Sequence, residues 1–299
     1  MSIPTNINKI NFNISFGKRL MLFLCATLLC FVIGSLIIGF IVSLKGNNPA
    51  VLRISSILQD IFVFIAPALI TAIIVTRLPA RFLAIDMKPG GIMRWLMPCL
   101  ILIVSIPAMN ALVLWNETLV LPDFMVDIEA KMRASEMQAQ KSVEMLIGGT
   151  GWGSLIVSVL IVGVFAGFSE ELFYRGTFLR LLTTGNVNRH LSIWLVAFVF
   201  SAMHLQFFGF FPRLLLGAYF GYLLVWTRCL WIPIIVHIFN NTLYTVGTRI
   251  EASATVEQVS INSFGKTNYA MIGLSIALVV IGIIAYRHLM SKTDKMFKK

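Results

Sequence analysis

The 299-residue sequence is poor in charged residues, and above all in acidic ones. Aspartate and glutamate together number 13, charged residues make up 12% of the chain, and hydrophobic residues make up 58%. This composition excludes an ordinary soluble domain and is typical of a protein that crosses the membrane several times. The four cysteines (Cys25, Cys30, Cys99 and Cys229) have neither metal-site spacing nor a disulfide framework, so packing is their predicted role.

The sequence also lacks internal repeats, low-complexity tracts and the His-Glu-x-x-His motif of helical zinc sites. Its first 19 residues are polar and basic and lead into an apolar run at 20–44. That run is too long for a signal-peptide core and has no convincing cleavage site, which favours a retained first span. We therefore predict one transmembrane helical domain at 20–290, between a cytoplasmic tail at 1–19 and a basic cytoplasmic tail at 291–299.

Apolar segments recur along the whole chain, and a full span takes ~20 residues. The predicted fold is all-α, a polytopic membrane protein with about eight transmembrane helices. The eight segments are 20–44, 56–76, 93–115, 152–181, 191–206, 211–228, 231–248 and 268–288.

The basic residues crowd particular ends of these segments. They precede the first span, fill the loop after the second, and follow the fourth and the eighth, whereas the loop at 116–151 carries six acids against three bases. The positive-inside rule then places both termini in the cytoplasm and loop 116–151 outside. It also explains the net charge of +11 better than nucleic-acid binding does. We expect an integral protein of a bacterial cytoplasmic membrane, with the lipid bilayer as its surroundings and no nucleic-acid partner.

Within the outer loop, the segment 122–147 repeats apolar residues at three- to four-residue steps with charges between them. This spacing predicts an amphipathic helix. Such a helix would lie on the outer membrane surface or cap the bundle; a lid that controls substrate entry is the alternative.

Two adjacent glutamates, Glu170 and Glu171, interrupt the fourth apolar segment. Ionisable groups at membrane depth are costly and usually functional. Arg175, four residues after Glu171, is predicted to neutralise it as an intrahelical ion pair. Neighbouring residues point about 100° apart on a helix, so we expect that both carboxylates cannot face one point and that Glu170 is the catalytic one.

Two later segments add imidazoles and an amide. His204 lies at the end of the fifth segment, and His237 and Asn241 share one face of the seventh because they are four residues apart. A carboxylate, two imidazoles and an amide can together activate water and bind an oxyanion. Each alone could equally be a helix-to-helix hydrogen bonder. Asp60, near the start of the second segment, is assigned no role.

These residues resemble the motifs of the CPBP family, the CAAX protease and bacteriocin-processing (Abi) intramembrane proteases. The family pattern is Glu-Glu-x-x-x-Arg, Phe-x-x-x-His and His-x-x-x-Asn/Asp. This chain has EELFYR at Glu170–Arg175, FSAMH at Phe200–His204 and HIFNN at 237–241. The resemblance covers a core at about 150–245.

The resemblance implies helices that enclose a polar intramembrane cavity, and peptide-bond hydrolysis inside it. Glu170 and His204 would activate the water, and His237 and Asn241 would stabilise the oxyanion. Glu171, Arg175 and Phe200 would support them. The substrate would be a peptide or a membrane-anchored protein.

The family is conventionally called metalloproteases. Glu170, His204 and His237 could hold zinc as one carboxylate and two imidazoles. The same residues could equally work without a metal.

Two other functions fit intramembrane carboxylates and imidazoles. One is a proton-coupled transporter, although no inverted repeat is visible. The other is a catalytically silent scaffold or regulator, although the complete set Glu170, His204, His237 and Asn241 argues against it.

Overall fold

The computed structural model describes residues 10–88, 90–149, 151–253 and 263–296, without side chains at 252–253 and 292–296. Residues 1–9 and 297–299 of the predicted tails therefore lie outside the described residues. The structure is 83% helical, and the part of the chain that it describes forms no strand beyond one isolated bridge between Phe12 and Thr76. The predicted all-α fold is confirmed.

Nine long helices carry the architecture of the described residues. They are α1 (Phe16–Lys45), α2 (Pro49–Val75), α3 (Met93–Glu117), α4 (Val126–Ile147), α5 (Gly151–Thr184), α6 (Arg189–Ala202), α7 (Phe210–Thr227), α8 (Trp231–Ser253) and α9 (Tyr269–Met296). Each of the eight predicted segments corresponds to one of these helices, and the predicted amphipathic segment corresponds to α4.

Six helices are long and apolar enough to cross a membrane, which indicates an integral membrane protein. They are α1, α2, α3, α5, α7 with the preceding turn Phe207–Gly209, and α9. The other two predicted spans differ from these: α6 is a shorter apolar helix, and α8 carries the polar residues His237, Asn240 and Asn241. The predicted count of eight is thus not confirmed. Large apolar side chains on α1, such as Leu36 and Phe40, are exposed, as they would be against lipid.

One end of the bundle gathers the predicted cytoplasmic segments. The Arg180 guanidinium at the end of α5 donates to the Phe82 and Arg81 carbonyls (2.7 and 3.1 Å), in the loop after α2. The start of α8 joins the same loop, because the Trp231 indole donates to the Ile85 carbonyl (3.0 Å). The charge pattern alone had assigned these segments to one side of the membrane, and the structure places them in contact with one another. We call this the basic end.

The opposite end carries α4. Arg53 on α2 donates to the Leu146 and Gly148 carbonyls (3.3 and 3.0 Å), and Arg249 on α8 donates to the Ile147 carbonyl (2.8 Å). These bonds fasten the C-terminal end of α4 to two other helices. We call this the α4 end.

The N-terminal part of α4 is tied to the loop that precedes it. The Glu129 carboxylate accepts hydrogen bonds from the Leu121 amide (2.7 Å) and the Arg133 guanidinium (2.8 Å). These bonds, the amide bond first, lower the pKa of Glu129 below its ordinary value. A lowered pKa means that the tie stabilises the fold above the ordinary glutamate range and weakens as acidification protonates the carboxylate.

We expect Arg180→Ala to weaken the basic end. The substitution removes two hydrogen bonds from a buried charged donor, and such bonds contribute about 1.5–3 kcal/mol each. The exposed Arg77→Ala, in the same basic cluster, is the matched control. Thermal unfolding of the protein in detergent, followed by tryptophan fluorescence, should show a loss for Arg180→Ala alone. Equal midpoints for the two variants would contradict the assigned role.

Candidate active site

The site begins with a buried ion pair on α5. Glu171 and Arg175 are fully buried, and an Arg175 Nη1 donates to Glu171 Oε1 over 2.6 Å. The other end of the guanidinium donates to the Gly217 carbonyl on α7 (2.8 Å). Arg175 also lies over the Phe200 ring, 4.7 Å from its centroid. The pair predicted from the i, i+4 spacing is therefore present, and it also connects α5 to α6 and α7.

His237 on α8 lies between the two glutamates of α5. Its Nδ1 is 2.9 Å from Glu171 Oε1, and its Nε2 is 3.7 Å from Glu170 Oε2. Because Glu171 is ionised beside Arg175, its oxygen accepts, and Nδ1 must carry the proton. Glu171 therefore fixes the tautomer of His237 and directs Nε2 toward Glu170.

The two carboxylates were expected not to face one point, and only Glu170 lines the cavity, whereas Glu171 does not. The directions of Glu170 and Glu171 do differ around α5, but an imidazole carries its nitrogens on different edges. His237 therefore meets one carboxylate with each nitrogen. The Phe220 ring stacks on this imidazole at 4.7 Å between centroids and holds its plane.

His204 lies in the turn just after α6. Its Nδ1 is 2.8 Å from the Phe200 carbonyl, which can only accept, so this ring too has its proton on Nδ1. The Phe200 ring packs edge-on against His204, with 5.0 Å between centroids. Phe200 thus orients His204 through both its backbone and its ring, and Nε2 remains available as a base.

Asn241 lies one turn beyond His237 and contacts α5. Its Nδ2 donates to the Val162 carbonyl (3.2 Å), within the π-helical stretch Val159–Phe165. Such a stretch interrupts the regular helical bonding and is frequent at functional sites. The amide has a second N–H for another acceptor.

Two glycines let α8 come this close to α5. A Cβ on Gly163 would lie 2.8 Å from Thr242 Oγ1, and one on Gly167 would lie 3.1 Å from Ile238 Cγ1. Small residues four apart permit close helix contact in membranes. The sequence GVFAG at 163–167 is thus a signal that could have predicted a close helix contact on this face of α5.

All four predicted catalytic residues line one cavity of about 1200 Å³. Glu170, His204, His237 and Asn241 reach it from α5, the turn after α6, and α8. Phe200 lines it as well, whereas Glu171 and Arg175 lie behind the wall. The described residues therefore form a cavity that carries the predicted polar side chains, and residues of α4 line it.

Asp60, to which the sequence reasoning assigned no role, is buried in α2, where the stretch Asp60–Ile65 packs against Ala166–Glu171 of α5. The signal was present in the sequence, because an aspartate in an apolar segment has the same cost as Glu170 does. Phe220, which stacks on His237, carried no such signal.

The predicted zinc ligands do not form a metal site as they lie. Across the described ranges, no group of three His, Cys, Asp or Glu side chains is arranged to hold a metal ion. A zinc site made of Glu170, His204 and His237 stays a prediction.

Comparison with known families bears on the same part of the chain. Residues 152–243 match the family model described as "Type II CAAX prenyl endopeptidase Rce1-like". This part of the chain is similar to the Rce1-like family. The match coincides with the predicted core at 150–245 and confirms the resemblance to the CPBP family. At the family level it supports a CAAX-type intramembrane protease, which acts on peptide or protein substrates.

Two further comparisons give no match. Neither the curated proteins nor the solved structures contain one for this chain.

We expect Arg175→Met to destabilise the Rce1-like domain by about 3–5 kcal/mol, the usual result when one partner of a buried ion pair is removed. The variant leaves the Glu171 charge buried without its partner. The double variant Glu171→Gln/Arg175→Met removes both charges, and the glutamine can still accept from His237. It should recover part of the loss in thermal unfolding. A double variant no more stable than Arg175→Met would contradict the charge argument.

Proposed function

We propose that the protein is an intramembrane endopeptidase that hydrolyses a peptide bond inside the cavity below α4. The observation that carries the proposal is the convergence of Glu170, His204, His237 and Asn241 on one cavity, from three separate sequence motifs. The Rce1-like match over 152–243 supports the same activity. The substrate is a peptide or a membrane-anchored protein.

The water is activated by Glu170 and His204. The Glu170 side chain is 14% exposed and lines the cavity, so it can meet a water molecule, unlike the fully buried Glu171. As the water oxygen attacks the carbonyl carbon, Glu170 accepts one of its protons. The bare Nε2 of His204 accepts a hydrogen bond from the second and orients the attack.

The oxyanion that forms is held by Asn241 and His237. Asn241 donates its second amide N–H. His237 donates from Nε2 in the enzyme form that has taken up a second proton from solvent before the attack and that keeps it throughout. Glu171 stabilises that imidazolium through Nδ1, as the orienting carboxylate of a catalytic triad does. The C–N bond then breaks, and Glu170 returns its proton to the leaving amine. No step requires a metal ion.

The sidedness follows from the clustered charges. We propose that the basic end faces the cytoplasm of a bacterial cell and that both termini lie there. Lys18, Arg81, Arg94 and Arg287 lie at this end, and the positive-inside rule places such residues in the cytoplasm.

Glu170→Gln should lower the rate of cleavage by about 10²–10⁴-fold, because the general base is missing. The control is Glu144→Gln, a carboxylate of α4 that lines the same cavity and has no proposed role. Purified proteins in liposomes would be tested against a panel of short and membrane-tethered peptides. Equal cleavage by wild type and Glu170→Gln would disprove the assignment of Glu170. Cleavage that survives a chelator would favour the metal-free mechanism, whereas dependence on added zinc would contradict it.

Asn241→Ala should lower kcat by about 10²–10³-fold, the usual effect of removing an oxyanion donor. Its neighbour Asn240 is the matched control, since it has no proposed catalytic role and, among the described residues, donates to the side-chain oxygen of Asn241 (3.3 Å). Asn240→Ala should cost only several-fold, because it removes one hydrogen bond of about 1 kcal/mol. A fall in kcat of similar size in both variants, or a change confined to KM, would contradict the oxyanion role.

A further inference from the structure

The chain leaves α6 through a tight turn, and this turn carries His204. The His204 amide donates to the Ser201 carbonyl (3.3 Å), three residues back, as in a 3₁₀ turn. The Phe200 carbonyl, which a continuing α-helix would offer to this amide, bonds the ring instead, because Nδ1 of His204 lies 2.8 Å from it. The tautomer of His204 thus depends on how the chain leaves α6.

The turn contains a backbone conformation that a leucine rarely adopts. Leu205 has a φ of 53°, in the left-handed region, where bulky residues are uncommon. Such a conformation persists only where the surrounding structure holds it, and it is typical of functional sites. Leu205 is 79% exposed, so its own side chain has little to pack against. Other groups must hold the turn.

Asn116, near the end of α3, holds the chain just after Leu205. It is fully buried. Its Nδ2 donates to the Phe207 carbonyl (3.1 Å), and its Oδ1 accepts from the Phe211 amide (3.0 Å). The Phe211 N–H belongs to the first turn of α7, where a helix offers it no internal partner. Both ends of one buried amide therefore fix the turn to α3.

Arg213 on α7 holds the same turn. Its guanidinium donates to the Gln206 carbonyl (3.1 Å) and to Gln206 Oε1 (2.9 Å). A Cβ on Gly209 would clash with this guanidinium, so the glycine leaves room for it. The Ser201 hydroxyl donates to the Phe210 carbonyl (2.6 Å) and joins the end of α6 to the start of α7. The turn is thus held by side chains of three helices.

We propose that Asn116 and Arg213 are positioning residues of the active site, which hold the turn after α6 in the shape that gives His204 a bare Nε2. The inference rests on the proposed peptidase function, in which that nitrogen orients the attacking water. Asn116 is not among the described residues that line the cavity, so it acts through His204 and not on the substrate. Arg213 does line the cavity, which makes Asn116 the cleaner residue to test.

Loss of either contact lets the turn relax. Leu205 then returns to an ordinary conformation, and the His204 amide can take the Phe200 carbonyl, as it would in a longer α-helix. The amide and Nδ1 compete for this one acceptor, so the ring loses the contact that keeps its proton on Nδ1. In part of the molecules Nε2 then carries the proton and cannot accept a hydrogen bond from water.

Nitrogen-15 NMR of the full-length protein, labelled at histidine and held in lipid nanodiscs, tests this directly. Ring nitrogen shifts distinguish a protonated nitrogen from a bare one, and the chain has only four histidines. His204→Gln identifies the signals of His204. Asn116→Leu removes both hydrogen bonds to the turn at similar side-chain volume. The control Tyr286→Phe removes a buried bond to the opposite end of α3, from Tyr286 to the Arg94 carbonyl (2.6 Å).

Wild type at about pH 8, where an ordinary histidine is neutral, should show His204 with a protonated Nδ1 and a bare Nε2. In Asn116→Leu the two His204 signals should move toward the average of the two tautomers, while those of His237 stay in place. Tyr286→Phe should change neither histidine. His204 signals that stay at their wild-type positions in Asn116→Leu, or that Tyr286→Phe shifts as far, would overturn the proposal.

Arg213→Lys decides the matter should Asn116→Leu fail to fold. Lysine keeps the positive charge, but it lacks the planar fork that bonds both Gln206 oxygens at once. The His204 signals should therefore shift in the same direction as expected for Asn116→Leu. Unchanged His204 signals in Arg213→Lys would contradict the proposal.

Cleavage kinetics separate this proposal from the peptidase function itself. With a peptide that wild type cleaves, Asn116→Leu should lower kcat by about 10²-fold at an unchanged KM, as a misplaced catalytic group does. Tyr286→Phe should keep the kcat of wild type. An unchanged kcat in Asn116→Leu, or a change confined to KM, would overturn the positioning role. If wild type cleaves no peptide, the peptidase function fails, while the NMR signals still decide whether Asn116 and Arg213 set the tautomer of His204.

Discussion

The fold around the site depends on one constraint, the presence of a carboxylate charge deep in an apolar bundle. Glu171 is fully buried, and the neighbouring guanidinium of Arg175 stabilises its charge there. Arg175 in turn donates to the Gly217 carbonyl, and Glu171 accepts a hydrogen bond from Nδ1 of His237. One ion pair thereby connects three helices and decides the tautomer of the histidine in the active site.

This arrangement explains why two adjacent glutamates have different environments. Glu171 faces protein, where its Oε1 contacts Arg175 and His237, whereas Glu170 faces the cavity beside His237 Nε2. Two adjacent residues of α5 thus have different tasks. Glu171 holds the histidine, and Glu170 is proposed to move the proton. A shift of α5 against α8 would change both at once, and Gly163 and Gly167 keep that contact close.

Much of the helix pattern could be predicted from the sequence, because apolar runs of this length have few other stable arrangements in a membrane. The boundaries of α3 and α5, for example, were predicted to within a few residues. The number of spans was less certain, because α6 is short and α8 carries polar residues whose acceptability depends on neighbours. The helical character of α4 was predicted from its spacing, but the spacing did not decide between the membrane surface, a cap on the bundle and a lid. The spacing of apolar residues identifies the apolar face of a helix, but it does not identify the surface against which that face packs.

For the candidate site, the sequence by itself determined which residues are exceptional: Glu170, Glu171, Arg175, His204, His237 and Asn241. Polar groups in apolar helices stand out because placing them at membrane depth costs free energy. Only the tertiary structure decided which contacts these residues form. His237 lies between both glutamates, Asn241 donates to the Val162 carbonyl, and Asp60 of α2 lies near Glu170. These contacts join residues up to about 110 positions apart. They depend on helix rotation, on π-helical stretches and on close glycine contacts. A linear pattern fixes none of these, since each arises only when two helices pack.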